Sequence, residues 1–141
     1  VVLLQDVISV LKGTDKGEES LYLLGISAYK ARDYEAAANF LKKYYETYTN
    51  GLYTQDARFY NAMALYKNTP EPKLDQTETY EAVTAFQNLL EIFPQSIYAK
   101  ESQDMIFKLQ DKLVEKEYLS AKTYFDLGSY FGNCNFGGNN A

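Results

Sequence analysis

The chain of 141 residues is 46% hydrophobic, with 14 Tyr and 8 Phe beside no Trp and no His, a single Cys and a net charge of −5. That length suits about one domain with a real core. Without His the commonest general base and metal ligand are gone. Negative charge with no compensating Lys/Arg stripe opposes phosphate backbones, so neither nucleic acid nor any metal or cofactor is expected. There is no long apolar run of about 18 residues and no charged-then-apolar leader, so no membrane span or signal peptide is read.

VVLLQDVISVL opens the chain without Met, with Val1, Leu4, Val7, Ile8 and Leu11 on one helical face. It reads as the second helix of a repeat, in a fragment whose true start lies upstream. Gly13-Thr14-Asp15 ends it, and Glu18 and Glu19 suit the first turn of a helix from about Gly17 to Ala31. Leu21, Leu24 and Ala28 mark its packing side, and Gly25 lets a neighbour approach closely. A turn at Arg32-Asp33 leads to a helix from Tyr34 to about Tyr48. Asn50-Gly51 breaks it, Gly51 being free to adopt the left-handed conformation of a helix end. Tyr53 to Lys67 follows, then the Pro-rich connection NTPEPKLDQTE, longer than a usual helix-helix turn, then a helix from Thr77 to Phe93 closed by Pro94.

From Ile97 to Phe131 there is no Pro, and no Gly before Gly128. Small or apolar residues recur at Tyr98, Ser102, Met105, Leu109, Leu113, Tyr118, Ala121, Phe125 and Gly128, in steps of three or four with one slip of five after Leu113. A tight turn at Val114 to Lys116 would absorb the slip, but nothing there can cap a break. One helix on the order of 50 Å long is expected. Residues 132–141, GNCNFGGNNA, read as an irregular tail, and Cys134, with Asn and Gly neighbours, reads as an inert thiol. Tyr124, Phe125 and Phe131 then lack a covering helix, so the fragment should expose apolar surface at each end.

An internal repeat organises these elements. Sliding Tyr80 to Ala99, YEAVTAFQNLLEIFPQSIYA, back by 45 positions (Tyr98 onto Tyr53) lays Phe86 on Leu41, Leu90 on Tyr45, Phe93 on Tyr48 and Pro94 on Thr49. Each copy has a small residue, Ala37 or Ala82, four places before a large one, Leu41 or Phe86. This is the second-helix half of a tetratricopeptide-type pattern. The first-helix half appears at Leu21, Leu24, Gly25 and Tyr29, and in decayed form at Phe59, Ala62, Met63 and Tyr66. The expected fold is all-α, a tetratricopeptide-like helical repeat array (an α-solenoid) over residues 1–131 with one long C-terminal helix.

The run DMIFKLQDKLVEKEYLSAKTYF, with LKGTDKGEESLYLLG and NTPEPKLDQT upstream, resembles the BamD lipoproteins of the outer-membrane β-barrel assembly machinery, in their Bacteroidetes-like form. The likeness runs from about Val1 to Asn133. It implies a periplasmic repeat scaffold, lipid-anchored to the outer membrane through a Cys absent from this chain. Its implied partners are the barrel-inserting subunit and unfolded barrel precursors. The alternative is another cell-envelope repeat scaffold, one coordinating cell-wall synthesis or division, or a carbohydrate-uptake lipoprotein.

In repeats of this type the first helix of each pair lines the concave surface. The candidate peptide-binding groove is therefore Tyr22, Ile26, Tyr29 and Lys30, repeated 37 positions later (Tyr66 against Tyr29) as Phe59, Met63, Tyr66 and Lys67, with Glu19 and Asp56 ahead of them. Rings offer flat apolar contact and Lys can meet a negative end, which suits an extended aromatic peptide with a free carboxylate. The same spacing also suits aromatics packed as core between helices, and periodicity does not separate the two. Glu115 and Glu117, two apart on a helix, point in different directions, and Gly132, Gly137 and Gly138 lack the ending of a phosphate loop. No nucleophile, base and orienting group can be assembled without His, so a binding protein and no enzyme is expected.

Overall fold

The computed structural model describes residues 15–71 and 74–136, with side chains over 16–71 and 74–129. The helix expected over Val1 to Leu11 and the last residues of the tail lie outside them. Five helices follow in order: α1 (Asp15–Lys30), α2 (Tyr34–Thr47), α3 (Thr54–Lys67), α4 (Thr77–Ile92) and α5 (Ala99–Phe136). Short connections make successive helices antiparallel neighbours, each packs on the next, and α1 also meets α3. α1, α3 and the start of α5 thus form one layer and α2 and α4 the other, as in a tetratricopeptide-like array.

The repeat positions are the core. Ala37, Leu41, Ala82 and Phe86 are fully buried, as are Tyr44 and Leu89, which the same 45-residue offset superimposes. Small residues bring backbones close: a Cβ added to Gly25 would lie 2.6 Å from Leu41 Cδ2 and 2.7 Å from its Cγ. The second core joins Phe59 and Ala62 of α3, Phe86 and Leu89 of α4, and Met105, Ile106 and Leu109 of α5.

The turns differ from expectation in two places. Gly51 is not left-handed. It is required because a Cβ there would collide with Glu18 Oε1 and fall 2.7 Å from the Tyr44 hydroxyl. The left-handed residue is Arg32, with φ of 63°. There the N–H of Asp33 donates to Ala28 O and that of Arg32 to Tyr29 O, both at 3.0 Å, the pair of bonds that closes a Schellman motif. Asp33 then caps α2, its Oδ1 accepting from Ala36 N at 3.2 Å. The Pro-rich connection is pinned from inside by Gln76, whose Nε2 donates to Glu71 O at 2.6 Å and Leu74 O at 3.0 Å.

α5 is continuous through Val114 to Lys116 and runs on to Phe136, beyond the boundary expected at residue 131. Its 38 residues give about 57 Å at 1.5 Å per residue. Packing against α4 ends near Leu113. Beyond it Val114, Tyr118, Tyr124 and Phe125 are exposed, because α5 has outrun the 16-residue α4: Lys112 already reaches Thr69, ahead of α4, and every side chain from 121 to 129 is exposed whichever way it faces.

Two substitutions check this account by chemical or thermal unfolding. Gly25→Ala should destabilise by about 1–3 kcal/mol through overpacking against Leu41, despite alanine's better helix propensity. Arg32→Gly should stabilise, by up to about 1 kcal/mol, by relieving the left-handed strain.

Candidate functional site

The face shared by α1, α3 and the start of α5 is built from aromatic rings. Tyr22 of α1 stacks on Tyr53, just ahead of α3, with centroids 4.4 Å apart and planes 3° from parallel. One repeat later Phe59 of α3 stacks on Tyr98, just ahead of α5, at 4.3 Å and 12°. Tyr60 stands between the two pairs, its ring meeting Tyr29 and Phe59 at 5.4 Å and Tyr98 at 6.4 Å, all near edge-on. These are the favoured geometries of aromatic pairs.

Carboxylates punctuate the rings. Asp56 accepts a hydrogen bond from the Tyr98 hydroxyl. Burial, then Asp56, then Tyr60 and Tyr53, push the Tyr22 phenol up to about 12. Burial and the Asp56 hydrogen bond raise Tyr98 well above the ordinary phenol value. Burial raises Tyr29, with smaller contributions from Tyr34, Tyr60 and Glu101. At the first junction burial and the bond to Glu18 raise Tyr44, whose hydroxyl donates to Glu18 Oε1 and accepts from Tyr53 N.

The expected groove residues divide. Tyr22, Ile26, Tyr29, Met63 and Tyr66 are partly exposed on this side of the array, and Lys30 and Lys67 are exposed at the ends of α1 and α3. Phe59 is a correction: at 4% exposure it belongs to the core, its face covered by Tyr98, and it offers nothing to a ligand. Lys67 lies over the Tyr66 ring, its Nζ 5.8 Å from the centroid. Tyr60, Tyr53 and Tyr98 were missed. Asp56, Tyr60, Met63 and Lys67 are spaced four, three and four, one face of a helix, and that spacing was the available signal for Tyr60.

The opposite side carries a cleft of about 660 Å³ between α2 and α4. Its floor is Arg58, Asn61 and Leu65, which stand about 100–160° around α3 from Tyr60. The Arg58 guanidinium lies 4.2 Å from the Tyr45 ring centroid, and Asn61 Nδ2 donates to Ala38 O at 2.7 Å. Lys42, Glu46 and Glu81 give it mixed charge. Among the described residues no group of three or more His, Cys, Asp or Glu could hold a metal ion, and no helix is long and apolar enough to cross a membrane.

A family model described as YfiO, outer membrane lipoprotein, matches residues 12–135, which include the whole tyrosine face. The chain belongs to this family of outer membrane lipoproteins. It is similar to a protein of Aquifex aeolicus (strain VF5) whose name assigns it as an outer membrane protein assembly factor, BamD, with 31% identity over 107 residues. Those residues are 76% of this chain and 35% of that protein, so the chain spans about a third of its relative's length. Within this YfiO-family chain the chemistry of the face is that of neutral phenols beside carboxylates, suited to contact and without a nucleophile-base pair.

The raised phenols give a pH dependence. Folded Tyr22 titrates at about 12 against 10.0 when unperturbed, so the unfolded chain releases its proton first as pH rises. The stability that Tyr22 contributes in this way is complete below pH 10 and is lost between about pH 10 and 12, and the raised Tyr29, Tyr44 and Tyr98 act in the same direction. Parallel recording of tyrosinate absorbance and helical circular dichroism should show the two changing together above pH 10. Full ionisation near pH 10 with helicity intact would contradict the burial assigned to the cluster.

Proposed function

We propose that this chain is a non-catalytic scaffold module of the outer-membrane β-barrel assembly machinery, which receives extended segments of unfolded barrel precursors on its tyrosine face. The observation that carries the reading is the contiguous set of half-exposed rings, Tyr22, Tyr29, Tyr60 and Tyr98, that three helices hold in fixed relation. Stiff, amphipathic rings supply contact area at low entropic cost, which suits ligands varied in sequence but rich in aromatic side chains. Family membership supports the cellular setting: a lipoprotein held at the periplasmic side of the outer membrane, working beside the barrel-inserting subunit.

Fluorescence anisotropy with labelled, barrel-derived aromatic peptides tests peptide reception. Saturable binding is expected, weakened about tenfold or more by Tyr60→Ala together with Tyr29→Ala, the scale of an aromatic hot spot, with helicity unchanged. Absence of binding by well-folded protein would mean that the tyrosines serve packing alone. Pull-down with the periplasmic part of the insertase tests the second partner, and failure to retain it at near-physiological salt would argue for a different envelope scaffold.

A further inference from the structure

The charge on the tyrosine face is placed differently from what an extended peptide with a free carboxylate would need. Along α3 the face runs Asp56, Tyr60, Met63, Lys67, so its acid and its base stand 11 residues apart, about 16 Å at 1.5 Å per residue. The rings gather at the acidic end. Tyr98 donates to Asp56, Tyr22 lies within its electrostatic reach, and Tyr60 joins Tyr98 to Tyr29, which in turn feels Glu101 on the first turn of α5. Asp56 is half-buried and Glu101 exposed. At the other end the Lys67 ammonium is drawn over Tyr66, and Lys112 Nζ donates to Thr69 Oγ1 at 2.8 Å.

We infer that the aromatic part of this face is a subsite for a cationic side chain, selecting extended segments in which Lys or Arg accompanies an aromatic residue. The inference rests on the peptide-receiving reading above and adds the ligand's charge. Phenol rings attract cations through their quadrupoles, and two carboxylates at the rim supply charge-assisted hydrogen bonds. A guanidinium meets both requirements with one planar group. A ligand carboxylate at the same place would face Asp56 and Glu101, while Lys30 and Lys67 stand at the C-terminal ends of α1 and α3. The neighbouring phenols of Tyr22 and Tyr98 stay protonated and add no charge of their own, and Tyr98 donates to Asp56. The face therefore discriminates by sign as well as by aromaticity.

The test uses three amidated, fluorescently labelled peptides of equal length and aromatic content, carrying Arg/Lys, Gln, or Asp/Glu at the variable positions, titrated into the 141-residue chain. The basic peptide should bind roughly tenfold tighter than the Gln peptide at low salt, an advantage that shrinks as salt rises. Glu101→Gln, at an exposed position in the first turn of α5, should erode that preference, and Asp56→Asn with Glu101→Gln should remove it. The amide oxygen introduced by Asp56→Asn can still accept from Tyr98, and circular dichroism verifies the fold. Equal or tighter binding of the acidic peptide, or a preference unchanged in the double variant, overturns the inference while leaving peptide reception standing. If no peptide binds, peptide reception itself falls and the charge preference falls with it.

Discussion

The structure depends on how one helical repeat is joined to the next. At each junction an aromatic residue of the first helix stacks on a tyrosine placed just before the following first helix, Tyr22 on Tyr53 and Phe59 on Tyr98. A carboxylate locks each arrangement, Glu18 through Tyr44 and the backbone of Leu52, and Asp56 through Tyr98. Rings nearly parallel at little more than 4 Å tolerate little sliding. The relative position of α1, α3 and α5 is therefore set at two points, and the remaining contacts fill in around them.

The same groups create the surface. A leucine at Tyr98 could pack, but could not bond Asp56 or leave a polar edge at the rim. Tyrosine does both, its body in the core and its hydroxyl at the boundary. Stability and candidate function thus share residues: loosening the junctions would also disperse the rings that border the face. The cleft on the other side of the array, between α2 and α4, has mixed charge and no comparable convergence of rings.

α5 links the array to what lies beyond Leu113. Its first part completes the second core through Met105, Ile106 and Leu109. Past the five-residue slip α5 has outrun α4, so Tyr118 and Phe125 are exposed while the helix itself continues. One sequence irregularity changes which side is apolar without breaking a backbone hydrogen bond, because neither Pro nor Gly interrupts the segment around it.

Over the described residues the order and approximate bounds of the helices were legible in the sequence, as were the all-α repeat class, the continuous α5 and the core positions Ala37, Leu41, Ala82 and Phe86. These follow from local spacing and from self-similarity, which survive without knowledge of neighbours. What only the tertiary structure decided was which side of α3 faces where. That helix is buried against α1, α2, α4 and α5, so Ala57, Phe59, Asn61, Ala62 and Ala64 are covered around most of its circumference and no polar stripe orients it. Phe59 and Tyr60 differ by one residue, about 100° of helix, and that rotation separates a core ring from the centre of the tyrosine face. The close approach at Gly51 and the left-handed Arg32 escaped for a related reason: both are imposed by contacts and bonds formed once the helices meet, and a linear pattern carries no record of them.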